Sequence, residues 1–115
     1  MTANPNTEWK KLCSKNDLIP NSGVAALHEG NQVALFYIPG YENEVYAIGN
    51  HDPFSGANVL SRGLIGDLKG EIMVASPLYK QHFSLKSGAC MEDEEVSVPV
   101  WPVRLQGDSV EIVSA

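Results

Sequence analysis

The chain is interrupted too often by turn-forming residues to build anything but short strands. Glycine, proline, asparagine and serine recur every few positions along its 115 residues, and the runs between them are rich in Val, Ile, Leu, Phe and Tyr. No stretch of useful length places apolar residues at the 3.6-residue spacing of an amphipathic helix. That combination predicts an all-β barrel or sandwich. The length suits one domain with one compact core.

Residues 8–14 are the first candidate strand. Residues 15–23 read as a loop with a short turn at 16–19, which Asn16 is placed to cap. Residues 24–28 and 32–38 are separated only by Glu29-Gly30-Asn31, which predicts a hairpin. After a turn at 39–43, residues 44–49 alternate Val45 and Ala47 with Tyr46 and Ile48. Residues 50–63 hold one Pro, two Gly, two Asn and two Ser, too irregular for a strand and too broken for a helix. A loop of that length is functional or packed on itself. Residues 64–68, 70–76 and 82–85 follow as short strands, with a second loop at 77–81 and a turn at 86–89. Residues 96–105 pair with 109–113 across Gln106-Gly107-Asp108, and Pro99 and Pro102 mark the former as an edge or bent strand.

Fourteen acidic residues against eight basic ones give a net charge of −6. The basic residues are scattered along the chain, so a nucleic-acid or anionic-membrane partner is not expected. The acidic run Glu92-Asp93-Glu94-Glu95 reads as a solvated loop in preference to a docking patch for a basic surface. The uncharged stretches 33–41 and 72–79 are too short to span a bilayer. Residues 1–7 are polar and expected to be flexible, with no basic-then-apolar leader, which sets the expected compartment as the cytoplasm. Cys13 and Cys90 fit no metal-ligand spacing and read as small buried hydrophobes. A disulfide between them is not expected in that compartment.

The element order then becomes informative. Strands lead to an irregular loop, the corner Gly63-Leu64-Ile65-Gly66-Asp67, a hairpin, and a second loop ending in Phe83-Ser84-Leu85-Lys86-Ser87-Gly88. This order resembles the Rieske ferredoxin domain. In that family the first loop carries Cys-x-His and the second Cys-x-x-His, ligands of a [2Fe-2S] cluster. Counting back from Phe83 and Gly88 sets the second motif on Ser76-Pro77-Leu78-Tyr79. Counting back from Gly63 sets the first on Pro53-Phe54-Ser55, with Asp52 replacing Pro53 if the loop slips by one residue. The ligand positions are then Pro53, Ser55, Ser76 and Tyr79, and none is Cys or His. A Rieske centre needs two thiolates on one iron and two imidazoles on the other. The histidines are His28, His51 and His82, and neither cysteine has one within three residues. Serine and tyrosine oxygens are mismatched to an iron–sulfur core. Ligand chemistry excludes a conventional cluster.

One subgroup of that superfamily, the small subunit of assimilatory NAD(P)H nitrite reductase, also lacks these ligands. Three segments are similar to it: residues 50–63 (Asn50-His51-Asp52-Pro53-Phe54-Ser55-Gly56-Ala57 through Leu60-Ser61-Arg62-Gly63), residues 75–83, and the tail Val98-Pro99-Val100-Trp101-Pro102-Val103. The resemblance implies a single Rieske-like domain over 1–115, in which residues 50–88 form a smaller loop-bearing subdomain without metal or catalytic residues. It also implies a partner, the nitrite reductase large subunit, carrying FAD, an iron–sulfur cluster and sirohaem and reducing nitrite to ammonia with NAD(P)H. A free-standing, cluster-less module serving another oxidoreductase is the alternative.

Within the loops, His51-Asp52 beside Ser55 has the composition of acid–base machinery. Loop Asp and Ser more often satisfy nearby backbone donors, which is the preferred reading. The resemblance implies that Pro53-Phe54 plugs the space a cluster would fill. Tyr79, Lys80 and His82, with His51 and Phe54, are the candidates for binding a partner, because an aromatic anchor with polar neighbours suits an interface. Tyr79 has a second reading, packed against the first loop in place of cluster contacts. Trp9 and Trp101 are expected in the core or on a sheet face.

Overall fold

Two apolar runs, Val33-Ala34-Leu35-Phe36 and Val45-Tyr46-Ala47-Ile48, are buried at every position. A strand buried at consecutive positions must be covered on both faces, and the architecture follows from that requirement. The computed structural model describes residues 8–41, 43–68 and 70–113. In chain order its strands are β1 (Trp9–Ser14), β2 (Ser22–His28), β3 (Asn31–Tyr37), β4 (Val45–Gly49), β5 (Leu64–Leu68), β6 (Glu71–Ala75), β7 (His82–Ser84), β8 (Val100–Trp101), β9 (Val103–Gln106) and β10 (Ser109–Val113). Two short 3-10 turns lie at Lys15–Asp17 and Leu60–Arg62. Every named pairing is antiparallel, in three sheets ordered β1-β10-β9, β2-β3-β4-β8 and β5-β6-β7.

The four-stranded sheet is the middle layer. Val33, Leu35, Val45 and Ala47 pack with Val110 and Ile112 of β10, forming one core. Ala34, Phe36, Tyr46 and Ile48 pack with Ile72, Val74 and Phe83, forming the other. The alternation of Val45 and Ala47 with Tyr46 and Ile48 therefore divides β4 between two cores. The expected all-β sandwich is present, with a third sheet added by β5–β7.

The β2–β3 hairpin closes at His28↔Asn31, and Glu29 and Gly30 both have positive φ, at 48° and 83°. Those angles are the type I′ turn that matches strand twist. The final hairpin closes at Gln106↔Ser109.

Two expectations are corrected. The first 3-10 turn covers Lys15–Asp17 and is flanked by Ser14, not capped by Asn16; the Ser14 N–H donates to Asp17 Oδ2 at 2.9 Å. Residues 96–105 are not one strand. Val100–Trp101 pairs with β4, Pro102 interrupts, and Val103–Gln106 joins the other sheet. Proline has no N–H and a fixed φ, so it cannot continue a ladder, and here the chain passes between layers at that residue. Pro102 is still used, because its carbonyl accepts from Val113 N–H at 3.2 Å.

Candidate functional site

The two loops singled out by the sequence lie at the ends of strands that share the β5–β7 side of the molecule. Residues 50–63 run from the end of β4 to the start of β5, and the second loop joins β6 to β7. The first loop is folded on itself. Asn50 is buried and holds its two ends: its Oδ1 accepts from Ser61 N–H at 2.7 Å, and its Nδ2 donates to the Asn58 carbonyl at 3.3 Å. His51 and Asn58 form a β-bridge, with His51 Nδ1 at 3.1 Å from Asn58 Oδ1. Asp52 N–H donates to the Ala57 carbonyl, and Gly56 N–H donates back to the Asp52 carbonyl, both at 2.8 Å. Gly56 sits at φ 76°, a conformation that strains any residue with a Cβ.

Asp52 is the centre of the arrangement. Its side chain is fully buried. Oδ1 accepts from Phe54 N–H at 2.8 Å and Ser55 N–H at 3.4 Å, the local turn expected of a loop aspartate. Oδ2 accepts from the Ser76 hydroxyl at 2.5 Å, joining the first loop to the second. Burial pushes the carboxyl pKa up, but the hydrogen bonds from Ser76, Phe54 and Ser55 outweigh it and hold the group below its ordinary range. Asp52 is thus an ionised, satisfied structural carboxylate.

The second loop is a tight turn begun by Ser76. Its N–H donates to the Gln81 carbonyl at 2.9 Å, and its carbonyl accepts from Lys80 N–H at 3.2 Å. Leu78 is 50% exposed and Tyr79 61% exposed, with Lys80 beside them also on the surface. Of the two readings of Tyr79, the exposed one is observed. Lys80 has φ 68°, in the left-handed region.

The remaining candidates separate into different surroundings. Phe54 is half-buried, with its ring centroid 6.2 Å from that of Phe83, so it packs on the core; Pro53 is exposed. Of Pro53 and Phe54, only Phe54 is turned to the core. It is Asp52, not Pro53, that faces Ser76, the one-residue slip weighed above. Ser55 Oγ accepts from Ala57 N–H at 3.3 Å within the first loop. His51 is exposed. His82 is tied to the acidic run: Glu92 accepts the His82 N–H at 2.8 Å and sits 2.7 Å from its Nδ1. Burial raises the Glu92 pKa, but the His82 N–H and imidazole lower it further, leaving it below the ordinary value. Glu92 is thus a clamp on β7, whereas Glu94 and Glu95 are solvated as expected. Cys90 is buried, while Cys13 is only half-buried; burial first, then the charge of Asp17, raises its thiol pKa against the influence of Lys11. Trp101 packs on the core, and Trp9 lies under the Arg104 guanidinium at 4.2 Å.

Sequence reasoning missed Asn50 and the Asp52–Ser76 bond. A signal existed for the second: both loops present a short polar residue directly before a proline, Asp52-Pro53 and Ser76-Pro77, a strong turn-starting dipeptide.

Residues 8–113 match the family model of the Rieske-like [2Fe-2S] domain. The chain is 47% identical over 106 residues to the nitrite reductase (NADH) small subunit of Salmonella typhimurium, covering 92% of this chain and 97% of that relative. The chain belongs to the nitrite reductase small-subunit branch of the Rieske-like family. A solution structure of Escherichia coli NirD agrees, with a TM-score of 0.83 at 45% identity, covering 95% of this chain and 98% of the other. In Klebsiella oxytoca a nitrite reductase [NAD(P)H] large subunit contains a matching segment, 40% identical over 92% of this chain and only 11% of that protein. The ferredoxin of carbazole 1,9a-dioxygenase from Nocardioides aromaticivorans shares the fold alone, with a TM-score of 0.76 at 19% identity.

The family name implies a cluster, and the donors at the site do not fit one. Where the two loops meet stand a carboxylate and a hydroxyl already bonded to each other. Among the described residues, no group of three or more His, Cys, Asp or Glu is placed to hold a metal ion. Cys90, the buried cysteine, is bridged to Phe83 in the β5–β7 sheet and directs its Sγ to Glu92 at 3.7 Å.

Proposed function

We propose that this chain is the non-catalytic small subunit of a cytoplasmic NAD(P)H-dependent nitrite reductase, docking through its loop tip on a large subunit that carries FAD, an iron–sulfur cluster and sirohaem. The reading is supported by the relatives' names and by the Klebsiella oxytoca protein, where a matching domain is part of a large-subunit chain. The observation that carries it is the buried Asp52–Ser76 hydrogen bond. It satisfies the inner side of both loops within this chain, leaving their outer side as a surface with no redox group to present.

Residues 50–88 act in this reading as a subdomain that retains the shape of a cluster-binding tip and uses it for contact. Tyr79 is the anchor, an aromatic ring exposed at the tip with Leu78 and Lys80 beside it. His51 adds a polar contact from the first loop. Phe54 and His82 act from behind, Phe54 through Phe83 and His82 through Glu92. No group on this chain performs chemistry on nitrite, and the electrons pass through the partner's cofactors.

Coexpression with a nitrite reductase large subunit tests the assignment. Coelution on size exclusion is expected, with NAD(P)H-driven nitrite reduction that falls when the small subunit is omitted. Elution apart from the large subunit at micromolar concentration, or activity indifferent to the small subunit, contradicts it. Visible absorbance with stoichiometric iron on the isolated small subunit contradicts the cluster-free reading separately.

A further inference from the structure

The sheet β5-β6-β7 has one edge to which, among the described residues, no further strand is paired. On the β7 side, Phe83 bridges to Cys90, and Met91 N–H donates to the His82 carbonyl at 2.8 Å, so the chain itself closes that edge. On the other side β5 has a neighbour only in β6. The hydrogen-bond phase of the sheet fixes which groups of β5 point outward. Leu85 N–H donates to the Ile72 carbonyl, so Ile72 and Val74 face β7 while Met73 and Ala75 face β5. Their partners across the β5–β6 ladder are Gly66 and Leu64. The N–H and C=O groups of Ile65 and Asp67 therefore point away from the sheet, and among the described residues no backbone group outside the sheet pairs with them.

On one face of this edge the side chains are apolar where a second strand would meet them. Leu64 is 77% exposed and Leu68 41% exposed, both on the face opposite the buried Val74 and Phe83. Edge strands are usually guarded by an outward charge. The one charge within β5, Asp67, is turned into its own hairpin, where Oδ1 accepts from Gly70 N–H at 2.9 Å. Gly66 lies between the leucines, and a Cβ built there meets nothing within 4 Å, so the packing of the single chain does not require glycine.

We propose that β5 joins β5 of a second copy of this chain, antiparallel about a twofold axis at Gly66. The choice of a second copy rests on Leu64 and Leu68, which stand two residues to either side of Gly66. In this register Leu64 faces the partner's Leu68, Gly66 faces the partner's Gly66, and Ile65 faces the partner's Asp67. The last pair brings together the residues whose backbone groups point outward, which is the hydrogen-bonded pair an antiparallel ladder needs. The leucines meet across the axis as exposed apolar pairs on one face. An unrelated strand would match the hydrogen bonds but has no reason to match the leucine spacing. The result is one continuous sheet, with the two second loops at opposite ends and both tips free. The proposal concerns the isolated chain and stands apart from the partner assignment.

Sedimentation velocity of the full chain from micromolar to millimolar concentration tests it, alongside amide exchange by NMR. A concentration-dependent shift toward a dimer is expected, with exchange at Ile65 and Asp67 slowing about tenfold or more at the high end. Leu64→Lys/Leu68→Lys is expected to remain monomeric with an unchanged melting temperature. Asp67→Pro, which removes an outward N–H and no bond of its own ladder, should also remain monomeric, with a lower melting temperature because the bond from Gly70 N–H is lost. A monomer at millimolar concentration overturns the proposal, as does a dimer that survives these substitutions. The exchange comparison needs no variant, so the proposal remains testable if a substituted chain fails to fold.

Discussion

The two loops differ in composition and in the way they face. The first, residues 50–63, turns three side chains inward: Asn50 and Asp52 are buried and hydrogen-bonded, and Phe54 rests on Phe83. The second turns outward after Ser76, exposing Leu78, Tyr79 and Lys80. It also keeps local costs that the first avoids. Lys80 holds a left-handed conformation, and Gln81 Oε1 is buried without a hydrogen-bond partner. A non-glycine residue at such φ costs on the order of 1 kcal/mol. Unrelieved costs of this kind collect where a surface is kept for something other than stability. The first loop is therefore packed into the molecule, and the second is left exposed beyond Ser76.

The largest effect should come from the aromatic pair Phe54–Phe83. Phe83→Ala removes a fully buried ring and is expected to cost about 3–5 kcal/mol. Phe54→Ala, at a half-buried site, should cost about half as much. Urea unfolding of both checks the order, and equal or reversed values would contradict it. Asp52→Ala comes next, because it leaves a buried hydroxyl and backbone N–H groups without an acceptor, at roughly 2–4 kcal/mol. Ser76→Ala deletes the donor to Asp52 and a long bond from Leu78 N–H, and should cost about 1–2 kcal/mol.

The same bond predicts a pH dependence. The Asp52 carboxyl is held low in the folded chain, so its stabilisation is complete above the unfolded value of about 4. It is lost as pH falls through the lower folded value. Ser76→Ala removes one of the hydrogen bonds that lower it and should move the acid-unfolding midpoint upward. Equal acid limbs in the two proteins would place the stabilising charge elsewhere. The smallest effect is on the outer loop. Lys80→Gly relieves the left-handed backbone and should stabilise the chain by roughly 0.5–1 kcal/mol in thermal unfolding. Destabilisation would mean that the lysine side chain supports the loop.

Much of the fold was legible because strand periodicity and turn chemistry are local. The Glu29-Gly30 hairpin and the run 44–49 could be read from neighbouring residues alone. Residues 96–105 were misread as one strand because their division depends on which sheet each half joins, a decision made by β4 and β10 far away in sequence. That the expected ligand positions carry neither Cys nor His was legible from the sequence alone. The Asp52–Ser76 bond was not, since its partners stand 24 positions apart and each has an adequate local role as a turn residue. The direction in which Tyr79 faces was equally beyond a pattern argument, because a tyrosine serves a core or an interface equally well.

The central claim is that the inner side of the tip is structural and the outer side binds the large subunit. Affinity of the purified large subunit for Tyr79→Ala/Lys80→Ala, measured beside the unsubstituted chain and with melting temperatures recorded, tests it most directly. The account predicts at least a roughly tenfold loss of affinity, about 1.4 kcal/mol, with no loss of thermal stability. Unchanged affinity in a chain that remains folded would contradict it.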